Sequence, residues 1–423
     1  MSSLAYAALW FFIFSLPWEN ALFVIPGVGL VTKLTGGLAL VSAVASILIS
    51  GRVRRWPGFH VAALLFVFWV ACGLFLFSGS QKLPNKFYTY VQLFLVLWMI
   101  WEVAPSWSRQ LGLLTAYVFG AYVAAFGTLM LYRTEAGALR RFTAMETDPN
   151  TVAMTLALAL PMAWYLGVSY RQPVLRWVCR GFLPVGLVAV GLTGSRGGML
   201  ATMVALLIVP LTMTKLSPGR LAAAIGVLGL SGALAVVYVP EKIVQRLATT
   251  GEEVEGLSLG GRFTVWKAGV KAFAQRPVTG YGAGAWRMAV SPWLGPNPQV
   301  AHNSFLSVLV ETGIVGLLLY LTMFVAVFLA IMRLPTLERR FALVLLGTLV
   351  IAMLPLTWED QKAVWFILAA LLGLARAVSA RTGGTVPQWP PHRSAPIARS
   401  PMAARSRESL IGSARNPNRD TTP

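Results

Sequence analysis

The sequence predicts an all-α, polytopic integral membrane protein, and three observations lead to this fold class. Hydrophobic residues make up 57% of the 423 residues and charged residues only 12%, whereas a soluble domain carries roughly 25% charged residues. The mean hydropathy is +0.68. Apolar runs such as 59–78 and 220–239 have the length of about 20 residues that a helix needs to cross a bilayer. A membrane barrel would instead show short alternating segments.

The apolar runs predict about twelve membrane spans. They lie at residues 4–17, 34–50, 59–78, 87–104, 110–131, 151–169, 179–194, 197–214, 220–239, 312–333, 340–356 and 363–380. The first run lacks a basic start and a small-residue cleavage site, so we interpret it as a span rather than a signal peptide.

The predicted organisation has four parts. Residues 1–239 carry spans one to nine, residues 240–311 form one large loop, residues 312–380 carry the last three spans, and residues 381–423 form a basic tail. The tail is rich in Arg, Pro and Ser, so we expect it to be disordered, either simply solvated or resting against anionic head groups.

The distribution of charge predicts the orientation. With the N-terminus in the cytoplasm, the short inner loops hold twelve Lys and Arg residues and the short outer loops eight. Acidic residues offset the outer charge further, at Glu19, Glu135, Glu146, Asp148, Glu359 and Asp360. Since basic residues favour the cytoplasmic side, both termini are predicted inside and the loop 240–311 outside. The net charge of +20 lies largely beside spans and in the tail, so it does not indicate nucleic acid as a partner.

The large loop has helical patterning of its own. The segment 260–277 (GGRFTVWKAGVKAFAQRP) places apolar residues at Phe263, Trp266, Val270 and Phe273, which predicts a helix lying at the membrane surface. A glycine-rich turn at 279–286 (TGYGAGAW) follows. Its glycines would let backbone approach a ligand, so Gly280, Tyr281 and Gly282 are possible pocket residues, together with Asn303.

Three side chains are candidates for chemistry: Arg196 in the turn GLTGSRGGML, Arg262, and His302, one of three histidines. Each also has a purely structural interpretation. Arg196 could reach up to the head groups, Arg262 could simply begin a helix, and His302 could be a residue at a helix N-terminus whose side chain is satisfied by a neighbour. The sequence Asp148-Pro149-Asn150 predicts a helix start with Asp as N-cap and Pro at the first position.

Taken together, these residues predict a site for a diphosphate outside the membrane. The planar guanidinium of arginine matches phosphate oxygens and stays charged. Histidine suits general-base work near neutral pH. The chain has three Asp residues and no paired aspartates, and its Cys72 and Cys179 form no metal-binding pattern. We therefore predict no metal and no cofactor.

The ordered set SRGG at 195–198, GRFTVWKAG at 261–269, RPVTGYGAG at 276–284 and HNSFLSVLVETGIVG at 302–316 resembles the O-antigen ligase and polymerase superfamily, with the ligase branch the most similar. The resemblance implies a GT-C type, metal-independent glycosyltransferase in a Gram-negative inner membrane. Its donor would be a glycan on undecaprenyl diphosphate and, in the ligase branch, its acceptor the lipid A–core oligosaccharide, at the periplasmic face. The family's essential residues would correspond to Arg196, Arg262 and His302.

Two alternatives stay open. Within the superfamily the protein could be a chain polymerase or a protein O-oligosaccharyltransferase. Outside it, the protein could be a transporter or flippase of a lipid-linked anionic substrate, although a transporter is expected to place its basic residues near mid-membrane on unwound helices.

Overall fold

The computed structural model describes residues 2–19, 29–76, 83–134, 148–213 and 261–381, with short stretches between 217 and 233. All of the long elements in these ranges are helices. They are α1 (Ser2–Ser15), α2 (Gly29–Ser50), α3 (Gly58–Leu76), α4 (Leu83–Val103), α5 (Trp107–Thr134), α6 (Pro149–Ser169), α7 (Pro173–Thr193), α8 (Arg196–Leu206), α9 (Ile208–Met213), α10 (Arg262–Gln275), α11 (Trp286–Leu294), α12 (Ser304–Met332), α13 (Thr336–Met353) and α14 (Lys362–Arg381).

The predicted helical class is confirmed, and the chain is a multi-pass membrane protein. Seven described helices are long and apolar enough to cross a membrane: α2, α3, α5, α6, α7, α12 and α14. Shorter apolar helices cover Ser2–Trp18 and Arg196–Thr212. Most of the ninth predicted span, 220–239, all of the loop portion 240–260 and all of the tail except Arg381 lie outside the described residues, so the total of twelve stays a prediction.

Helix α6 lies at the centre of the described bundle. Its sequence is apolar on every side, which is typical of a helix surrounded by protein, and every residue from Val152 to Val168 is buried. It packs against α5, α7 and α8. Its N-terminus begins at Asp148, whose carboxylate accepts hydrogen bonds from the backbone N–H groups of Asn150 and Thr151. The predicted Asp-Pro helix start is therefore confirmed.

Helix α12 has a break near its N-terminal end, at Gly313. This residue has φ 68° and ψ −172°, a combination that is essentially restricted to glycine. Gly313 therefore joins two helical pieces of α12. The break separates a short piece that begins at Ser304 from the long apolar piece that follows.

The two loop helices form a small core of their own against α12. Helix α10 buries Val265, Ala268 and Ala272, small side chains that let α11 and its Trp286 approach closely. By contrast, Phe263 and Val270, two members of the predicted apolar stripe, are exposed. The helix therefore turns its small residues to the protein and two of its larger apolar residues outward.

Candidate active site

Four helix N-termini carry the residues that the sequence singled out. Arg196 is the first residue of α8 and Arg262 the first residue of α10. His302 immediately precedes Asn303, the N-cap of α12, and Asp148 is the N-cap of α6. Because N–H groups at a helix start have no partner within the helix and carry partial positive charge, each of these positions favours an anion.

A direct side-chain contact joins the starts of α6 and α8. The Ser195 hydroxyl donates to Asn150 Oδ1 at 2.8 Å, and its oxygen accepts from the Gly198 backbone N–H at 3.1 Å. A Cβ on Gly198 would lie 2.3 Å from the Cβ of Ala153. The SRGG motif therefore has a local explanation: serine caps α8, and glycine lets α8 meet α6 closely enough to fix Arg196 beside the start of α6.

The starts of α6, α10 and α12 are linked by electrostatics. Burial lowers the pKa of His302, the positive charge of Arg262 lowers it further, and the negative charge of Asp148 opposes both. Burial also lowers the pKa of Arg262, and Asp148 again acts in the opposite direction. Asp148, Arg262 and His302 thus lie close enough to influence one another. A lowered pKa keeps the imidazole neutral near pH 7, as a proton acceptor requires.

The backbone around His302 is held from both sides. His302 has φ 47°, the single positive value among the non-glycine residues that the structure describes. Its backbone N–H donates to Thr357 Oγ1 at 3.0 Å. The next residue, Asn303, accepts from the Leu306 backbone N–H at 3.0 Å through Oδ1. Such a conformation is uncommon outside glycine and recurs at functional sites.

The glycine-rich turn packs against the broken part of α12. A Cβ on Gly280 would lie 2.6 Å from the Glu311 carbonyl, and the Gly282 N–H donates to that carbonyl oxygen at 2.8 Å. The Tyr281 hydroxyl donates to Gln275 Oε1 at 2.9 Å. The structure thus gives this turn a packing role, and the pocket role of Gly280, Tyr281, Gly282 and Asn303 stays a prediction.

An ion cluster beside this turn escaped the sequence analysis. Lys86 Nζ lies 2.9 Å from Glu359, 3.2 Å from Asp360 and 3.8 Å from Glu311. Glu311 also accepts from the backbone N–H groups of Gly284 at 2.8 Å and Trp286 at 3.2 Å. The cluster therefore connects α4, α12, the glycine turn and the loop before α14.

Glu359 is the most deeply buried member of the cluster, with no exposed surface. Burial raises its pKa to about 7, the Lys86 ammonium opposes this change, and the neighbouring carboxylates Asp360 and Glu311 reinforce it. Its Oε1 accepts from Lys86 and from the Ser307 hydroxyl, both at 2.9 Å. No sequence pattern indicated this cluster, because Lys86 and Glu359 are 273 positions apart.

Within the described ranges, no group of three or more His, Cys, Asp or Glu residues is arranged to hold a metal ion.

Fold and site together define a class: a multi-pass helical membrane protein in which two arginines and a histidine stand at helix N-termini.

The comparisons with known proteins specify this class further. Residues 181–321 match the family model described as O-antigen ligase. The match covers 141 of 423 residues and includes Arg196, Arg262 and His302. It confirms the predicted resemblance to the O-antigen ligase superfamily without separating its branches. The comparison with curated proteins finds no match.

Proposed function

We propose that the protein transfers a glycan from undecaprenyl diphosphate to the lipid A–core oligosaccharide at the periplasmic face of the inner membrane. The observation that carries this proposal is that three helix starts bearing Arg196, Arg262 and His302 are each linked to the start of α6: the Ser195–Asn150 contact links α8, and the charge of Asp148 acts on Arg262 and His302. The family match over residues 181–321 supports a glycosyltransferase-like membrane enzyme.

The donor diphosphate is bound by Arg196 and Arg262. Guanidinium groups make charge-assisted, bidentate hydrogen bonds to phosphate oxygens, and the N-termini of α8 and α10 add positive partial charge. As the bond to the sugar breaks, negative charge grows on the departing diphosphate. Fixed donors aimed at that charge stabilise the transition state without reorganising.

His302 accepts the proton of the acceptor hydroxyl. The hydroxyl oxygen attacks the anomeric carbon of the donor sugar, the bond from that carbon to the diphosphate oxygen breaks, and undecaprenyl diphosphate leaves with the bonding electrons. The lowered pKa of His302 provides a neutral imidazole for this step. One in-line displacement inverts the configuration at the anomeric carbon.

Asp148 sets the electrostatic balance of the site. Its carboxylate is occupied by the N-terminus of α6, where it accepts from Asn150 and Thr151. From this fixed position it opposes the lowering of the His302 pKa. Without this charge, the imidazole would have less affinity for the proton that it must take from the acceptor.

The closest alternatives share the same donor chemistry. A chain polymerase or a protein O-oligosaccharyltransferase would use the same diphosphate site and His302 with another acceptor. A transporter of a lipid-linked anion is less well supported, because Arg196 and Arg262 begin helices outside or at the ends of the apolar segments rather than at unwound mid-membrane positions.

The test is transfer by the purified, full-length protein in lipid nanodiscs. Lipid-linked glycan is supplied with one of three acceptors: lipid A–core, a second lipid-linked glycan, or a serine-containing acceptor peptide. We expect transfer to lipid A–core, and the same rate in excess EDTA. Transfer only to the second lipid-linked glycan or to the peptide would reassign the protein within the superfamily. In sealed proteoliposomes, movement of the lipid-linked glycan from one leaflet to the other without transfer would identify a transporter.

A further inference from the structure

A cavity of about 550 Å³ lies next to His302 and has no part in the proposed donor site. It is bounded by α4, by the start of α11, by α12 and by the loop before α14. This volume is in the range of about 300–1,000 Å³ that is typical of small-molecule sites. Exposed Asn85 and Arg287 are among its lining residues, so the cavity is open to the surroundings.

The lining of this cavity combines polar side chains with apolar surface and carries no net charge. Eight of its twelve residues have polar side chains. Lys86 and Arg287 provide two positive charges, and Glu311 and Asp360 provide two negative charges. Lys86 is engaged by carboxylates at 2.9 and 3.2 Å. A diphosphate requires excess positive charge, and the four charged side chains in the wall disfavour a lipid tail, so the cavity suits neither. The hydroxyl groups of a neutral sugar both donate and accept hydrogen bonds, so they fit a wall that offers hydrogen-bond donors and acceptors without net charge.

The cavity and the proposed diphosphate site lie against different residues of the short segment Ala301–His302. Ala301 and Thr357 line the cavity, and Thr357 Oγ1 accepts the His302 backbone N–H at 3.0 Å. The charges that act on the His302 ring come instead from Arg262 and Asp148, which do not line the cavity. His302 therefore stands at the border between a cationic site and a neutral polar site.

We propose that the cavity bounded by α4, α11, α12 and the loop before α14 binds the acceptor glycan through its terminal neutral sugars. This inference rests on the proposed function and names the acceptor subsite that the function requires. A sugar seated here has the Ala301–His302 segment beside it, so one of its hydroxyl groups can be presented to the imidazole at the border. The phosphorylated inner part of a lipid A–core molecule stays outside this neutral cavity.

Two substitutions test the inference without touching the ion cluster or the candidate catalytic residues. Arg287→Ala removes an exposed hydrogen-bond donor from the cavity, and Asn85→Trp fills its exposed edge. The control for Arg287→Ala is Lys271→Ala, which removes an exposed cation from α10, the other helix of the loop region. The control for Asn85→Trp is Tyr88→Trp, which enlarges an exposed residue of the same helix, α4. None of these positions is buried, so we expect the variants to fold. Thermal melting of each variant in detergent checks this expectation.

The measurement is steady-state transfer in nanodiscs, with lipid A–core and lipid-linked glycan varied separately. Loss of a hydrogen bond to a charged donor should raise the KM for the acceptor about ten-fold or more in Arg287→Ala. Asn85→Trp should raise it at least as much. The donor KM and the turnover at saturating acceptor should stay within about two-fold, and both control variants should behave like the unmodified protein.

Three results would overturn the inference, and they differ from one another. An unchanged acceptor KM in both cavity variants, with normal transfer, would remove the cavity from acceptor binding and leave the proposed function intact. A raised KM for the donor with an unchanged KM for the acceptor would mean that the cavity binds the donor instead of the acceptor. Failure of the unmodified protein to glycosylate lipid A–core would overturn the proposed function itself, and the inference with it. If Asn85→Trp does not fold, Arg287→Ala alone decides.

Discussion

At the scale of single residues, His302 is positioned by its backbone. Its positive φ and its N–H bond to Thr357 fix the chain, and the cap Asn303 begins α12 immediately after it. The sequence could single out His302 because histidine is rare in this chain and a helical run follows. It could not indicate Thr357, since that contact joins positions 55 residues apart.

The sequence predicts a capping role for Asp148, and the structure confirms that role and adds an electrostatic effect on His302. We predict that Asp148→Asn will retain the cap, because Asn caps helices about as well as Asp, while removing the charge that raises the pKa of His302. The imidazole then protonates at a lower pH, so the acid limb of the pH profile of kcat/KM should move to lower pH. Since the imidazole becomes a weaker base, the plateau rate should also fall.

The control for that change is Asp148→Ala, which removes the charge and the cap together and should also lower the melting temperature. If the acid limb of Asp148→Asn stays in place or moves to higher pH, Asp148 does not act on the proton acceptor of the reaction.

The Lys86 cluster leads to a stability prediction. Lys86→Met should leave the buried carboxylates without their cation, and breaking a buried pair in this way typically costs about 3–5 kcal/mol. Adding Glu359→Gln should restore part of the loss, because it removes the carboxylate with no exposed surface. Melting of the two single variants and the double variant in detergent measures this coupling. Strictly additive effects would mean that the Lys86–Glu359 contact has no energetic weight.

At the scale of elements, the site depends on a joint between the glycine turn and α12. The Ile314 N–H donates to the Pro277 carbonyl at 2.8 Å, and the Tyr281 N–H donates to the Val310 carbonyl at 3.1 Å. These bonds satisfy backbone groups that the break at Gly313 frees. Glycine interrupts an apolar run at position 313, which is a sequence signal for the break, but nothing in the sequence indicates which segment packs against it.

We predict that Gly313→Ala will disrupt this joint. Its φ of 68° is strained for any other residue, and a Cβ would lie 2.1 Å from the Val278 carbonyl oxygen. The strain alone costs about 1–3 kcal/mol, so folded yield and melting temperature should both fall. Gly347→Ala is the matched control in α13, where the nearest atom would be 3.7 Å away. Equal behaviour of the two variants would contradict this account of the joint.

Element boundaries show where sequence patterns stop being informative. The run 197–214 predicts one span, yet the structure divides it into α8 and α9 around Leu207. Pro210, three residues beyond Leu207, is the local signal for this division, because proline has no N–H for the carbonyl four residues before it and kinks or ends a helix; the apolar run alone does not reveal it. The apolar stripe of α10 predicts a helix correctly, but it does not reveal that the small residues Ala268 and Ala272 form the packed face.

At the scale of the whole molecule, composition was sufficient to predict a helical membrane protein, because bilayer thickness sets the length of each span.

The predicted orientation in the membrane rests on the distribution of charge alone and leads to a separate prediction. In cells with a permeabilised outer membrane, Lys271→Cys on exposed α10 should react with an impermeant maleimide, while a tag after residue 423 should stay protected. The unmodified protein, with Cys72 and Cys179, measures the background. Labelling of the tag with protection of Cys at position 271 would reverse the orientation.

The most direct test of the central claim compares donor affinity with turnover in variants of equal folded yield. The account predicts that Arg196→Lys and Arg262→Lys weaken both, because an ammonium cannot replace a bidentate guanidinium and each such contact contributes about 1.5–3 kcal/mol. His302→Ala should leave donor affinity nearly unchanged and lower turnover by about 10²–10⁴-fold. A folded His302→Ala protein with normal turnover, or one that no longer binds the lipid-linked donor, would contradict the assignment of His302 as the base.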